Sequence, residues 1–198
     1  MYDWRKLSTE EREELLKLRK QLQRPLHSPH HVDSGTRTYH LTAACYGHAD
    51  IIGASAKRLS GFSESLVEVL HTHSREVSAW VVLPNHYHAL VLTNDVLNLL
   101  TALGQLHGRT SHAWNGEDER RGRQVWCKAA ETVMKSDGHF HASVNYVHHN
   151  PVKHGYAKTW TEWPWSSASD YLERVGREEA IQRWKHYPLL DFGKNWDD

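Results

Sequence analysis

Cysteine is scarce in this chain. Cys45 and Cys127 are the only two in 198 residues, too few for a disulfide framework. Neither sits in a Cys-x-x-Cys pair of the kind that holds zinc, so both read as small buried apolar residues. No apolar run approaches the roughly 20 residues needed to cross a bilayer. The start, Met1-Tyr2-Asp3-Trp4-Arg5-Lys6, lacks the apolar core of a signal peptide, and the expectation is a cytoplasmic protein with no membrane partner. Charge of one sign is missing too: 24 basic side chains balance 24 acidic ones. That excludes a global attraction to nucleic acid or to acidic partners, so any polyanion site must be local. Internal repeats and low-complexity tracts are absent. What is plentiful is histidine, 17 residues, and tryptophan, 9. These suit metal binding and base stacking, and equally ordinary core and surface use.

The length fits one domain with appendages. Ser8 with Glu11 makes a capping box, Leu15, Leu18 and Leu22 share a face, and Pro25 forbids continuation, which predicts a helix over Ser8–Arg24. The prolines of 25–31 then mark a linker. Residues 1–32 read as an N-terminal helical appendage, 33–155 as the main domain and 156–198 as a C-terminal extension. Within the main domain, Tyr39, Leu41 and Ala43 alternate on a strand over Arg37–Cys45. Phe62, Leu66, Val69 and Leu70 make the apolar stripe of a helix over 56–73. Two strands follow, Val77–Leu83 and His86–Thr93, joined at Pro84-Asn85. Asp95 caps a second helix to Trp114, its end marked by Asn115-Gly116. A charged connector, 117–123, leads to a strand over 124–134. Ser136 or Asp137 then caps a third helix that should stop at Asn150, before Pro151. This order is an α+β, ferredoxin-like β-α-β-β-α-β pattern, a four-stranded antiparallel sheet with two helices on one face and a third helix added. A short C-terminal helix is expected over 178–185.

Strand alternation sends His86 and His88 to one face and Tyr87 to the other, so the two imidazoles can converge on one ion. Alone, a His-x-His pair is also just two polar residues on a half-exposed strand. On the third helix, Phe140, Val144 and Val147 define the buried stripe. Tyr146 and Asn150 lie one turn apart on its flank, anchored yet open to a cleft, while His149 points to solvent. A tyrosine that cleaves a phosphodiester needs its oxygen near phosphorus and a divalent cation on the phosphoryl oxygens. Two histidines of one strand face and an amide one turn from a tyrosine can supply that arrangement.

Three segments carry a resemblance to a known family: Leu83-Pro84-Asn85-His86-Tyr87-His88-Ala89-Leu90-Val91, Asn145-Tyr146-Val147-His148-His149-Asn150-Pro151-Val152-Lys153-His154-Gly155, and Trp163-Pro164-Trp165-Ser166-Ser167. Together they resemble the REP-associated tyrosine transposases, single-tyrosine HUH enzymes, and Leu26-His27-Ser28-Pro29-His30 is similar to one branch of that group. The resemblance implies the HUH/Y1 transposase fold, with the added helix catalytic. It further implies that His86, His88 and Asn150 hold Mg²⁺ or Mn²⁺, and that Tyr146 is the nucleophile. Tyr87 carries a hydroxyl where the motif has a plain hydrophobe, and Lys128-Ala129-Ala130-Glu131 stands where a more aromatic pattern is expected. The implied activity is cleavage and joining of single-stranded DNA at hairpin-forming repeats through a 5′-phosphotyrosyl intermediate, by a monomer or homodimer. Arg109, Arg120, Arg121, Arg123, Lys128 and Lys153 are candidates for DNA backbone contacts. Two rivals stand beside this reading: a REP-hairpin binding protein with little or no turnover, and a metal-dependent hydrolase that uses activated water and forms no adduct.

Overall fold

The computed structural model describes residues 36–189 and, before them, Ser8, Glu10 and Glu14. Apart from those three, the expected helix over 8–24 and the linker after it lie outside the described residues. By compactness the chain divides into Met1–Val32 and Asp33–Asp198, and every element below belongs to the second unit.

The elements run β1 (Arg37–Ala44), α1 (Ala56–His73), β2 (Glu76–Val82), β3 (His86–Thr93), α2 (Val96–Glu117), β4 (Ala130–Val133), α3 (Asp137–Lys153), α4 (Ala168–Val175) and α5 (Arg177–His186). The strands form one antiparallel sheet in the order β2-β3-β1-β4. That is the ferredoxin-like arrangement expected from the alternation of elements. Ser55, Asp95 and Ser136 cap α1, α2 and α3, each accepting from a backbone N–H three residues on.

Alternation decides which residues meet which helices. Tyr39, Leu41, Ala43, Tyr87, Ala89 and Val91 face α1 and α2, packing on Phe62, Leu66, Leu70, Leu99, Leu103 and Leu106. Ala79, Val81, Leu83 and Leu90 face the other way, onto Val144, Tyr146 and Val147 of α3 and onto Tyr171 and Ala180. Helices therefore cover the sheet on both faces.

Four expectations are corrected. The last strand is shorter than 124–134: only 130–133 pair as a strand, with an isolated bridge between Cys45 and Trp126 upstream. Trp126 turns into the core instead, stacked on His107 at 4.3 Å and on Phe62 at 5.1 Å. α2 runs through Asn115-Gly116 to Glu117, because the Asn115 side chain is buried and occupied by the following loop. It donates to the Arg123 carbonyl at 2.7 Å and accepts from Arg123 Nε at 2.9 Å. α3 continues past Pro151 to Lys153. A proline near the end of a helix removes one ladder bond without forbidding the last turn. The chain turns away at Gly155, whose φ of 74° suits glycine. Lastly, His149 does not point to solvent. Trp160 lies parallel to its ring at 6.0 Å and Trp184 edge-on at 5.6 Å, since the segments after α3 fold back over it.

The β2–β3 turn is held from outside. Gly53 N–H donates to the Pro84 carbonyl at 2.8 Å, and a Cβ at Gly53 would fall 2.5 Å from Pro84 Cβ. Gly53→Ala is therefore expected to destabilise the fold by about 1–3 kcal/mol through displacement of that turn, read as a lower denaturant midpoint at unchanged slope. A second prediction concerns acid. Burial pushes His107 down to about 4 from the ordinary 6.5, so the unfolded chain binds its proton first as pH falls. Its contribution, on the order of 3 kcal/mol, is fully present above pH 6.5 and is lost on descent towards pH 4. Denaturation curves across that window should show a shallower pH dependence for His107→Gln than for the parent. Identical slopes would refute it.

Candidate active site

The site grows from the start of β3. In β3, His86 and His88 share the α3 face, with ring centroids 5.0 Å apart. Register sets Ala44 opposite His86 and Thr42 opposite His88 on β1, and Val81 opposite His88 on β2. Tyr87 points into the other core, fully buried, its hydroxyl 3.2 Å from His107 Nε2. Burial alone pushes its phenol well above the usual tyrosine range, so it is a packing residue.

Each histidine is fixed through its Nδ1. Asn85 Nδ2 donates to the His48 carbonyl at 3.1 Å, which orients the amide and presents Oδ1 to His86 Nδ1 at 2.6 Å. An amide oxygen only accepts, so Nδ1 carries the hydrogen, and in the neutral imidazole Nε2 keeps a lone pair. His88 Nδ1 lies 3.2 Å from His40 Nε2; with His88 as donor, its Nε2 keeps a lone pair as well. Such outer partners orient metal-binding imidazoles.

His86 Nε2 stands 3.2 Å from Asn150 Oδ1. Two acceptors facing one another call for a cation or a shared proton. Asn150 Nδ2 is buried with no hydrogen-bond partner among the described residues. No group of three His, Cys, Asp or Glu side chains with metal-binding placement occurs among the described residues. A third protein ligand beside these histidines would therefore have to be something else, and an amide oxygen fits. Imidazole nitrogens with one amide oxygen suit a divalent cation.

Tyr146, one turn before Asn150, sets its ring edge-on to His88 at 5.3 Å and to His40 at 6.1 Å. Lys153 Nζ donates to its hydroxyl at 3.4 Å and lies 5.0 Å from the ring centroid. The structure thus gathers His86, His88, Tyr146 and Asn150, but not at an open cleft. Their relative exposures are 3%, 1%, 2% and 0%. His148, also fully buried, belongs to a different set. Its Nε2 pairs with Ser167 Oγ at 3.0 Å, Ser167 accepts from Trp80 N–H at 2.8 Å, and burial pushes the imidazole down to about 3.

The basic candidates scatter. Arg109 is exposed on α2, in the helix layer on the far side of the sheet from the histidines. Arg120 and Arg121 are exposed in the loop after α2, Arg121 donating to the His112 carbonyl at 2.9 Å. Arg123 is engaged with Asp118 at 2.7 Å. Arg58 completes that cluster, and the two guanidiniums hold the Asp118 carboxyl down at about 2. Arg120 and Arg123 line a surface pocket of about 440 Å³ together with Asp50 and Asp118, carboxylates that offset their attraction for a polyanion. Lys128 is exposed just before β4. Only Lys153 reaches the gathered groups.

Sequence reasoning passed over two residues that shape the site, His40 and Asn85. His40 was legible in principle: alternation puts it on the face opposite Tyr39 and Leu41, but only the β1–β3 register shows that this face meets His88.

No family model matches the chain. It is similar to the REP-associated tyrosine transposase of Escherichia coli (strain K12), 27% identical over 104 residues, which cover 52% of this chain and 60% of that relative's length. The fold matches the solved structure of a REP-associated tyrosine transposase bound to a REP hairpin, with a TM-score of 0.59 at 18% identity, over 75% of this chain and 86% of that one. No helix among the described residues is long and apolar enough to cross a membrane. The resemblance to the REP-associated tyrosine transposases read from the sequence is thus borne out, in sequence over half of this chain and in fold over three quarters of it.

Proposed function

We propose that the protein cleaves and joins single-stranded DNA at hairpin-forming, REP-like repeats, with Tyr146 as nucleophile and a 5′-phosphotyrosyl intermediate. The observation that carries this reading is the convergence on one sheet face of Tyr146, the two imidazoles and the Asn150 amide. The similarity to a REP-associated tyrosine transposase and to a structure bound to a REP hairpin supports the DNA partner.

His86, His88 and Asn150 would hold Mg²⁺ or Mn²⁺. When bound, the cation supplies Lewis-acid polarisation of the phosphoryl oxygens and offsets developing charge. This chain's residues do the rest. Asn85 holds the His86 imidazole with Nε2 towards Asn150, and His40 holds the His88 ring beside Tyr146. The Tyr146 oxygen loses its proton to water, bonds to phosphorus, and the bond from phosphorus to the 3′ oxygen breaks. That oxygen takes a proton and leaves a free 3′ hydroxyl. Joining runs the same exchange in reverse with a second 3′ hydroxyl. The burial of all four groups favours one rival, a hairpin-binding protein with little turnover, because a phosphodiester reaches them only when what covers them moves.

Two outcomes test the reading. Tyr146→Phe removes one oxygen from a packed ring, so hairpin binding should stay within about threefold, while the denaturant-stable protein–DNA adduct disappears. An adduct that persists, or that maps by mass spectrometry to another residue, refutes the assignment. Absence of any adduct from the parent favours the binding protein. For the metal, His86→Gln with His88→Gln keeps the volume of the buried imidazoles yet should weaken Mn²⁺ binding at least tenfold by calorimetry, with the thermal midpoint checked alongside. Unchanged affinity would place the ion elsewhere.

A further inference from the structure

Lys153 entered as a candidate for a DNA phosphate contact, and the fold puts it to another use. Seven residues separate it from Tyr146, which on a continuous helix is two turns on the same face. That relation exists only because α3 carries on past Pro151; a helix ending at Asn150 would release Lys153 from this face. Lys153 as a whole is exposed, while Tyr146 is buried. The aliphatic stem runs inward and delivers Nζ to the phenol oxygen at 3.4 Å and over the ring at 5.0 Å from its centroid.

We propose that Lys153 is a catalytic residue of the strand transfer, acting on the tyrosine oxygen in both directions; this rests on the reading of Tyr146 as nucleophile. In cleavage the phenol O–H bond breaks, its proton passing to water. The electron pair forms the bond to phosphorus, and the 3′ oxygen departs with its own pair and takes up a proton. In joining, a 3′ oxygen attacks phosphorus, giving its proton to water, and the phenol oxygen departs with the pair it had shared. Negative charge gathers on the tyrosine oxygen before it bonds and after it leaves. An ammonium donor at that oxygen stabilises the charge in both passages, where a neutral surrounding would not. A lysine that merely held a DNA phosphate would instead strengthen binding and leave the rate in the bound complex alone.

The experiment uses the full chain with single-stranded oligonucleotides carrying a REP-like hairpin repeat, and compares the parent with Lys153→Met, Lys153→Arg and Tyr146→Phe. It measures the adduct formation rate at saturating DNA, the joining rate from preformed adduct, the DNA Kd across salt concentrations, and Mn²⁺ affinity. Lys153→Met should slow both rates on the order of tenfold, with Kd within about twofold and Mn²⁺ affinity unchanged. Lys153→Arg, which keeps a charged donor, should recover most of the rate. Parental rates in Lys153→Met, or a loss confined to Kd with a salt slope lower by about one, overturn this proposal while leaving Tyr146 as nucleophile if Tyr146→Phe is inert. A parent that forms no adduct, or forms it elsewhere than on Tyr146, overturns both.

Discussion

A sheet covered by helices on both faces has no solvent side on which to leave polar residues, and this constraint governs the rest of the molecule. On the face towards α1 and α2 the sequence meets it by being apolar, with Tyr87 and His107 pairing in its midst. On the face towards α3 it does not. His40, His86, His88, His148 and Asn150 are all buried. Burying an unpartnered polar group costs a few kcal/mol. The pairings that result, His40 with His88, Asn85 with His86 and His148 with Ser167, arrange this face of the domain.

Those pairings fall into two kinds. The His148–Ser167–Trp80 set is a tie: its bonds join α3 to β2 and to the segment before α4, and His148 Nδ1 has no hydrogen-bond partner among the described residues. In the His86–Asn150 set a ring nitrogen meets an amide oxygen, and the amide nitrogen has no partner among the described residues. Buried polar groups without partners are rare enough in folded proteins that each calls for an explanation. Each set leaves one such atom, so burial alone does not separate them; the second differs in gathering two imidazoles and an amide oxygen around Tyr146, the arrangement on which the proposed function rests.

The arginines make the opposite point. Charge counted along the sequence offers Arg120, Arg121 and Arg123 to a polyanion, yet Asp118 spans Arg58 and Arg123 and fastens the loop after α2 to α1. Nearby carboxylates turn what reads as a basic run into a structural cluster. Lys153, isolated in the sequence among histidines, is the basic candidate that reaches the gathered side chains.

The sequence by itself left the α3 cap between Ser136 and Asp137 and did not foresee α4; it determined the element order as far as α3, the cap at Asp95, the separation of His86 and His88 from Tyr87, and the proximity of Tyr146 to Asn150. All of these rest on relations within a few residues, set by the periods of strand and helix. Only the tertiary structure decided the remainder. The wheel that sent His149 to solvent knew nothing of Trp160 and Trp184, which fold back over it from later in the chain. The proline rule that ended α3 at Asn150 ignored how little a last turn loses by one missing bond. His40 met His88, and Lys153 met Tyr146, through strand pairing and helix continuation. Local periodicity fixes the direction in which a side chain leaves the backbone, whereas what it meets there depends on segments distant in sequence, brought near only when the two faces of the sheet are covered.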